Sequence, residues 1–110
     1  MTEISIVIVS YNEEENIGRC LDSLLKLKYP KDSFSILIVD GGSSDKTVDI
    51  ARSYPVKLLV LPGANVAKCK NTALDIINVD YVAFIDADVI VDQYWLNELV
   101  STISMAEERV

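Results

Sequence analysis

Apolar residues along this chain follow two kinds of spacing, which predict strands alternating with helices. Four short runs are apolar at nearly every position or rich in β-branched residues, as in strands covered on both faces. These runs cover residues 4–9, 34–39, 56–61 and 81–85. Elsewhere, apolar residues recur every three or four positions, as they do on one face of a helix. The pattern therefore predicts four strands, each followed by a helix.

The clearest helix follows the first strand. Its apolar face is predicted by five residues at helical spacing: Ile17, Cys20, Leu21, Leu24 and Leu25. Asn12 can cap this helix, and Glu15, three residues later, completes a capping-box pattern. Pro30 and the polar residues after it are predicted to end the helix and turn the chain into the second strand.

The other three helices are predicted in the same way. Ser44 is placed to cap a short helix over residues 45 to about 53, which Pro55 stops. The apolar positions of the third helix are Val66, Cys69, Ala73, Ile76 and Ile77. Asp92 is placed to cap the last helix, whose inward positions are Leu96, Leu99, Val100 and Ile103.

This order of elements predicts an α/β fold. Strands that alternate with helices pair in parallel through right-handed crossovers, which gives a parallel sheet of about four strands with helices on both faces. The 110 residues predict a single domain over residues 1–110. Three strands end in polar or acidic residues, at 10–13, 40–43 and 86–88. In a parallel sheet these ends lie along one edge, where α/β proteins place their ligands.

Composition narrows the classes of function. Ten basic and seventeen acidic residues give a net charge of −7, which argues against a nucleic-acid partner because such partners need a basic surface. No apolar run reaches the ~18 residues of a membrane span, and no signal sequence opens the chain, so a cytoplasmic location is expected. Cys20 and Cys69 fall on apolar helix faces, which favours core packing over a disulfide or a metal.

The strongest candidate chemistry lies at the end of the fourth strand. Asp86 and Asp88 directly follow an apolar run, and alternate residues of a strand share a face. Because the chain has no histidine, such a pair suits a hard divalent cation that carries a phosphorylated ligand. With ten aspartates in 110 residues, roughly one Asp-x-Asp is expected by chance. The alternative is a solvated turn after the strand, and only the position of the motif at a strand end favours a functional site over that alternative.

Four motifs stand in order along the chain: Val-Ser-Tyr-Asn-Glu at 9–13, Val-Asp-Gly-Gly-Ser-Ser-Asp at 39–45, Lys-Asn at 70–71 and Phe-Ile-Asp-Ala-Asp at 84–88. Together they resemble the nucleotide-sugar-binding half of the family 2 glycosyltransferases, which have the Rossmann-like GT-A fold. The resemblance covers nearly the whole chain. It implies that a nucleoside diphosphate sugar, commonly a UDP-sugar, lies across the strand ends for inverting transfer to an acceptor that the motifs do not identify.

The resemblance also implies roles for single residues. By the matching positions, Ser10, Tyr11 and Glu13 would line the base and ribose pocket, and Asp40 would accept a hydrogen bond from the base. Asp86 would contact the ribose or the water shell of the metal, and Asp88 would bind Mn²⁺ or Mg²⁺ on the diphosphate. Lys70 stands where the family often has arginine, and completes the donor-binding set.

For four of these residues the sequence leaves a second interpretation open. Asp40 can bond the turn in which it lies, and Tyr11 can be a packed aromatic at a strand end. Glu13 can be a first-turn acid that favours the helix dipole, and Lys70 a solvated helix lysine. Receiver domains and nucleotidyltransferases are two other α/β classes to consider. Receiver domains place an acidic pair after the first strand, and nucleotidyltransferases usually carry a basic, glycine-rich loop there, whereas this chain has Ser-Tyr-Asn-Glu at that point.

The chain departs from the family in three respects. Val9 stands where proline is usual, and Asn65 where glycine is frequent, although asparagine tolerates positive φ. The family continues with an acceptor-binding half that holds the acidic general base, so no catalytic residue is assigned here. On that ground we expect donor binding with little or no sugar transfer unless that half is supplied. Self-association that covers exposed sheet surface is also expected.

Overall fold

The structure is a computed structural model that describes residues 3–108, and in it four strands alternate with four α-helices. In chain order the elements are β1 (Ile4–Ser10), α1 (Ile17–Leu25), β2 (Phe34–Asp40), α2 (Thr47–Arg52), β3 (Lys57–Val60), α3 (Val66–Ile76), β4 (Tyr81–Asp86) and α4 (Trp95–Glu108), with one 3-10 turn (Lys31–Ser33) before β2. The predicted α/β class and the order of elements are confirmed. Within residues 3–108, no helix combines the length and apolar character that a bilayer span requires.

All strand pairs are parallel, and the sheet order is β3-β2-β1-β4. The chain moves outward from β1 to β3 and then returns to the other side of β1 with β4. Such a reversal opens a crevice between the carboxyl ends of the two strands, where open α/β sheets bind ligands. The register places Ser10 beside Asp40 and Val9 beside Asp86, so the predicted polar strand ends share one edge.

Helices cover both faces of the sheet. Ile4, Ile6 and Ile8 of β1 are buried in a cluster that also contains residues of α1, α2 and α4. Val7 is buried on the opposite face, in a smaller cluster with Cys69 and Ala73 of α3. Because both faces of the central strands are covered, each strand residue gains from burial, at roughly 1.5–3 kcal/mol for a large aliphatic side chain. This explains the nearly continuous apolar runs.

The start of α1 differs from the prediction. The helix begins at Ile17, and Asn12 lies well before it with a φ of 52°. The side-chain oxygen of Asn12 accepts the backbone N–H of Ser44 at 2.9 Å, which ties two loops together. The predicted capping box of Asn12 and Glu15 is therefore wrong, because a tertiary contact uses the oxygen that the cap would need.

Other helix ends also shift by a few residues. α2 begins at Thr47, so Lys46 and not Ser44 is at its N-cap position. The Lys46 side chain makes no capping hydrogen bond. Asn65 needs no positive φ: its φ is −79°, and its side chain caps α3 by accepting the N–H of Lys68 at 2.8 Å. Asp92 accepts the N–H of Tyr94 at 2.9 Å in the turn that leads into α4.

Candidate functional site

Four segments meet at the carboxyl edge of the sheet. They are residues 10–16 after β1, residues 40–47 after β2, the turn at 61–65 before α3 and residues 86–91 after β4. Gly41 N–H bonds Ser10 O at 3.0 Å, and Leu61 N–H bonds Asp40 O at 2.7 Å. Backbone hydrogen bonds therefore continue from the sheet into the first three of these segments and hold them in place.

The carboxylate of Asp40 is the centre of this edge and is fully buried. Its Oδ1 accepts the hydroxyls of Ser10 at 2.8 Å and Ser43 at 2.6 Å. Its Oδ2 accepts the backbone N–H groups of Gly42 at 2.9 Å and Ser43 at 2.7 Å. Hydrogen bonds to a charged group are the strong class, and four of them compensate for burying the carboxylate.

This network puts two of the predicted donor-binding residues beneath the surface. The Ser10 side chain is 2 % exposed and the Asp40 side chain 0 %. In this structure both residues support the rim, whereas the resemblance placed them in direct contact with the nucleotide. For Asp40 the geometry favours the alternative interpretation, that its carboxylate bonds the turn in which it lies.

The two glycines after Asp40 allow the loop to pack closely against the 61–65 turn. A Cβ atom on Gly41 would lie 2.7 Å from the carbonyl oxygen of Ala64, and one on Gly42 would lie 2.8 Å from Pro62 Cα. Gly42 also has a φ of 95°. Gly41 therefore permits a close backbone approach, and Gly42 permits both a close approach and a positive φ.

Side chains of the loop after β2 hold the loop after β1. Ser43 Oγ accepts the N–H of Asn12 at 2.8 Å, and the buried Thr47 Oγ1 accepts that of Glu13 at 2.8 Å. Asp45 accepts the N–H of Glu14 at 3.2 Å and both the N–H and the hydroxyl of Thr47. Partial burial opposes ionisation of Asp45, but the hydrogen bonds from Thr47 and Glu14 outweigh it and lower the pKa of this carboxyl.

Of the residues after β1 that were predicted to contact the donor, Tyr11 is the most accessible. Its side chain is 59 % exposed and lies beside Gly41 at the rim, so it is not a packed core aromatic. Glu13 is half-buried, and its Oε2 accepts Asn16 Nδ2 at 2.9 Å. That bond places the Glu13 carboxylate at the residue preceding α1, which agrees with the helix-start interpretation.

Asp86 and Asp88 are both exposed at the predicted edge. β4 ends at Asp86 and Asp88 lies in a turn, so the rule of alternate strand faces does not itself reach Asp88. Exposure still alternates, because Ala87 between them is buried in the core cluster. Among the described residues, no cation or hydrogen-bond donor pairs with either carboxylate. Two unpaired carboxylates remain beside the crevice between β1 and β4.

This pair fits a divalent cation by the chemistry of its oxygen donors. Within the described residues, no three His, Cys, Asp or Glu side chains form a complete metal site. Mg²⁺ and similar hard ions are commonly held by one or two carboxylates together with water and substrate phosphates. Asp86 and Asp88 would supply the carboxylates of such a site, and water and a phosphorylated ligand would complete it.

Lys70 lies on the opposite face of the sheet from α1. Its side chain is exposed, and its Nζ lies 5.3 Å from the centre of the Phe84 ring. A cation over an aromatic face is stabilised by about 0.5–1 kcal/mol at an exposed site. Phe84 precedes Asp86 by two residues on β4, so Lys70 is an exposed helix lysine whose ammonium group lies against the ring of a β4 residue.

Both cysteines are buried in the core clusters, as predicted. Burial, with a smaller contribution from the charge of Asp88, raises the pKa of the Cys20 thiol to about 11. Burial and the charge of Asp40 also raise the pKa of Cys69. Since the thiolate is the reactive form, both side chains are inert in the folded chain.

We therefore expect neither cysteine to react with a thiol reagent at about pH 8 until the chain unfolds. Mass spectrometry after labelling with and without urea measures this, and urea should expose two thiols per chain. Rapid labelling of either cysteine in the folded protein would contradict the burial seen here.

Sequence reasoning missed the residues that join the first two loops: Asn12, Ser43, Asp45 and Thr47. Asp45 and Thr47 are two positions apart, the spacing at which an aspartate bonds the backbone ahead of it, so the local part of this link was recognisable. The bonds that the Glu13 N–H donates to Thr47 and the Ser44 N–H donates to Asn12 span more than 30 residues, and no local pattern predicts them.

Comparison with known proteins agrees with this geometry. The family model described as glycosyl transferase family 2 matches residues 5–108. Glycosyltransferase AglE of Haloferax volcanii is 37% identical over 109 residues, which cover 92% of this chain and 35% of that protein. This chain therefore spans about a third of the length of that relative.

Solved structures give the same result. Staphylococcus aureus TarS 1-349 in complex with UDP-GlcNAc has a TM-score of 0.82 at 28% identity, over 94% of this chain and 31% of that one. A mannosyltransferase of Pyrobaculum calidifontis in complex with GDP-Man and Mn²⁺ has a TM-score of 0.80 at 26% identity, over 90% of this chain and 31% of that one. The fold is that of the GT-A glycosyltransferases, and the receiver-like alternative is not favoured. This chain belongs to glycosyltransferase family 2.

Proposed function

We propose that this chain binds a nucleoside diphosphate sugar together with Mn²⁺ or Mg²⁺ as the donor for glycosyl transfer, and that this donor is a UDP-sugar. One observation carries the proposal: Asp86 and Asp88 are exposed and unpaired among the described residues, at the crevice where the strand order reverses. The complexes of two relatives with UDP-GlcNAc and with GDP-Man and Mn²⁺ support it.

Electrostatics explains why the donor needs a cation here. A phosphate charge ~5 Å from a carboxylate is repelled by roughly 3 kcal/mol at an effective dielectric constant of ~20. Asp86 and Asp88 would therefore reject a diphosphate by themselves. A divalent cation held by these carboxylates reverses the sign of the interaction and, when bound, stabilises the negative charge of the departing nucleoside diphosphate.

The loops at the rim provide the contacts for the rest of the donor. The exposed ring of Tyr11 is a flat surface on which a base can stack, beside a glycine loop that lets the ligand approach the backbone closely. Ser10 and Asp40 hold that loop from below, and Glu13 is placed by its bond to Asn16 at the entry to α1. Lys70 supplies a positive charge toward the phosphates.

The transfer itself is proposed to invert the anomeric centre. In such a reaction an acceptor hydroxyl attacks from the side opposite the leaving diphosphate and loses its proton to a base. The residues of this edge bind and orient the donor and balance the charge of the leaving group. The acceptor and the base lie outside this set.

Calorimetric titration with UDP, GDP and ADP, each with and without Mn²⁺, tests the proposal. We expect UDP to bind in the presence of Mn²⁺ and to bind at least tenfold more weakly without it, because the uncompensated repulsion exceeds the 1.4 kcal/mol that corresponds to a factor of ten. GDP and ADP serve as matched controls with the same diphosphate. Binding of UDP that does not depend on the metal would contradict the role of Asp86 and Asp88. Equal binding of all three nucleotides would contradict the preference for uracil.

A further inference from the structure

The acidic segment at residues 86–91 is held at both of its ends by one helix. At the first end, the thiol of Cys20 in α1 lies 3.9 Å from the carbonyl oxygen of Asp86, as a weak donor. At the second end, the N–H of Val91 donates to Ser23 Oγ in α1 at 3.1 Å. The same Ser23 hydroxyl donates to the carbonyl of Cys20 at 2.7 Å, so its position is set by the helix.

The segment between these two points presents its carboxylates outward. Ala87 is buried and Val91 packs against the same cluster, while Asp86 and Asp88 are exposed. The N–H of Val89 bonds Asp86 O at 3.1 Å and closes the turn that contains Asp88. Asp88 therefore lies on a short turn whose far end is fixed by the hydroxyl of Ser23.

We infer that Ser23 is a positioning residue for the metal-binding carboxylates. This inference rests on the proposed function and adds a residue of α1 that does not itself touch the metal. Without the hydroxyl, Val91 loses its side-chain acceptor and the turn is held less firmly at that end. Binding the metal must then also order the turn, which weakens affinity. Direct outer-shell partners of metal ligands typically contribute 10–100-fold to metal affinity, and because Ser23 acts only through the backbone of Val91, its effect is expected near the lower end of that range.

The surroundings of Ser23 make a specific test feasible. Ser23 is 8 % exposed and lines a groove of about 500 Å³ between α1 and residues 90–93. Water can enter this groove, so Ser23→Ala should leave the fold intact while removing the fixed link to Val91. Threonine keeps the hydroxyl and adds one methyl group to a side chain that already lines the groove.

Ser53 provides a matched control. Its hydroxyl donates to the carbonyl of Ile50, three residues earlier in α2, at 2.6 Å, just as Ser23 donates to Cys20. Ser53 is exposed, and no described N–H donates to its hydroxyl. Ser53 directly follows α2, so Ser53→Ala removes the same kind of bond to a helix carbonyl three residues earlier without releasing a second segment.

The experiment measures Mn²⁺ affinity in the presence of UDP by electron paramagnetic resonance, and amide hydrogen exchange at residues 86–91. We expect Ser23→Ala to weaken Mn²⁺ binding about tenfold, which is the lower end of the outer-shell range. We also expect it to speed hydrogen exchange at residues 86–91. Ser53→Ala and Ser23→Thr, which keeps a hydroxyl, should match the unchanged chain in both measurements.

Three results would overturn the inference: equal affinity and exchange in Ser23→Ala and Ser53→Ala, a loss in Ser23→Thr as large as in Ser23→Ala, or a loss that follows global unfolding alone. Failure of the unchanged chain to bind Mn²⁺ with UDP would instead refute the proposed function. In that case the exchange of residues 86–91 still decides whether Ser23 holds the segment.

Discussion

Asp88→Ala is expected to lower the affinity for UDP in the presence of Mn²⁺ by about 100-fold or more, while UDP alone binds no worse than before. Even residues outside the ligand shell contribute 10–100-fold to metal affinity, so loss of a direct ligand should have at least the larger effect. Asp88 is exposed and unpaired among the described residues. Its removal should therefore change the free energy of unfolding by only about 0.5 kcal/mol or less.

Asp75→Ala is the matched control for this experiment. Asp75 is also an exposed aspartate, but it lies near the end of α3. α3 starts at the carboxyl edge and returns toward the opposite end of the sheet, so Asp75 is remote from Asp88. The Asp75→Ala substitution therefore removes the same charge without changing the candidate site. If both variants weaken the metal-linked binding equally, the effect comes from net charge, and Asp88 is not a ligand.

Asp40→Ala is expected to lower the free energy of unfolding by on the order of 4 kcal/mol, because each buried donor that loses its acceptor costs about 1–3 kcal/mol. Four donors lose theirs: the hydroxyls of Ser10 and Ser43 and the N–H groups of Gly42 and Ser43. Such a loss is a large part of the 5–15 kcal/mol that is typical of a whole domain. Urea unfolding followed by circular dichroism measures it.

Asp40→Asn separates the loss of the acceptor from the loss of volume. The amide keeps one oxygen toward the loop but places an NH₂ group against existing donors, so an intermediate loss of stability is expected. Asp75→Ala again serves as the exposed control. A change of less than about 1 kcal/mol in Asp40→Ala would be typical of an ordinary surface residue. That result would contradict the structural role of the carboxylate and favour a direct contact with the base.

The pattern of apolar residues predicted the strands and helices because both faces of the sheet are covered. Ile6 and Val7 of β1 point to opposite clusters and both must be apolar, which produces a run that periodicity analysis recognises. The helix ends were predicted less well. A local cap competes with contacts to distant residues, and at Asn12 the contact with Ser44 prevails.

The candidate site was also predicted only in part from the sequence. The sequence predicted that Asp40, Asp86 and Asp88 come to one edge, since parallel strands place their carboxyl ends together. It did not predict that Asp40 lies beneath the rim while Tyr11 lies on it. Burial of one side chain depends on the donors that surround it, and those of Asp40 come from two different strand ends.

The sequence by itself thus determined the α/β fold, the order of its elements and the edge at which its acidic residues gather, because each follows from local periodicity or chain direction. The tertiary structure alone decided which of those residues can meet a ligand. It places Asp40 under the loop, leaves Asp86 and Asp88 exposed, and fixes their turn through Ser23. The reason is physical: Ser10 donates to Asp40, and the Val91 N–H donates to Ser23, and these bonds join residues 30 and 68 positions apart, beyond the reach of any local pattern.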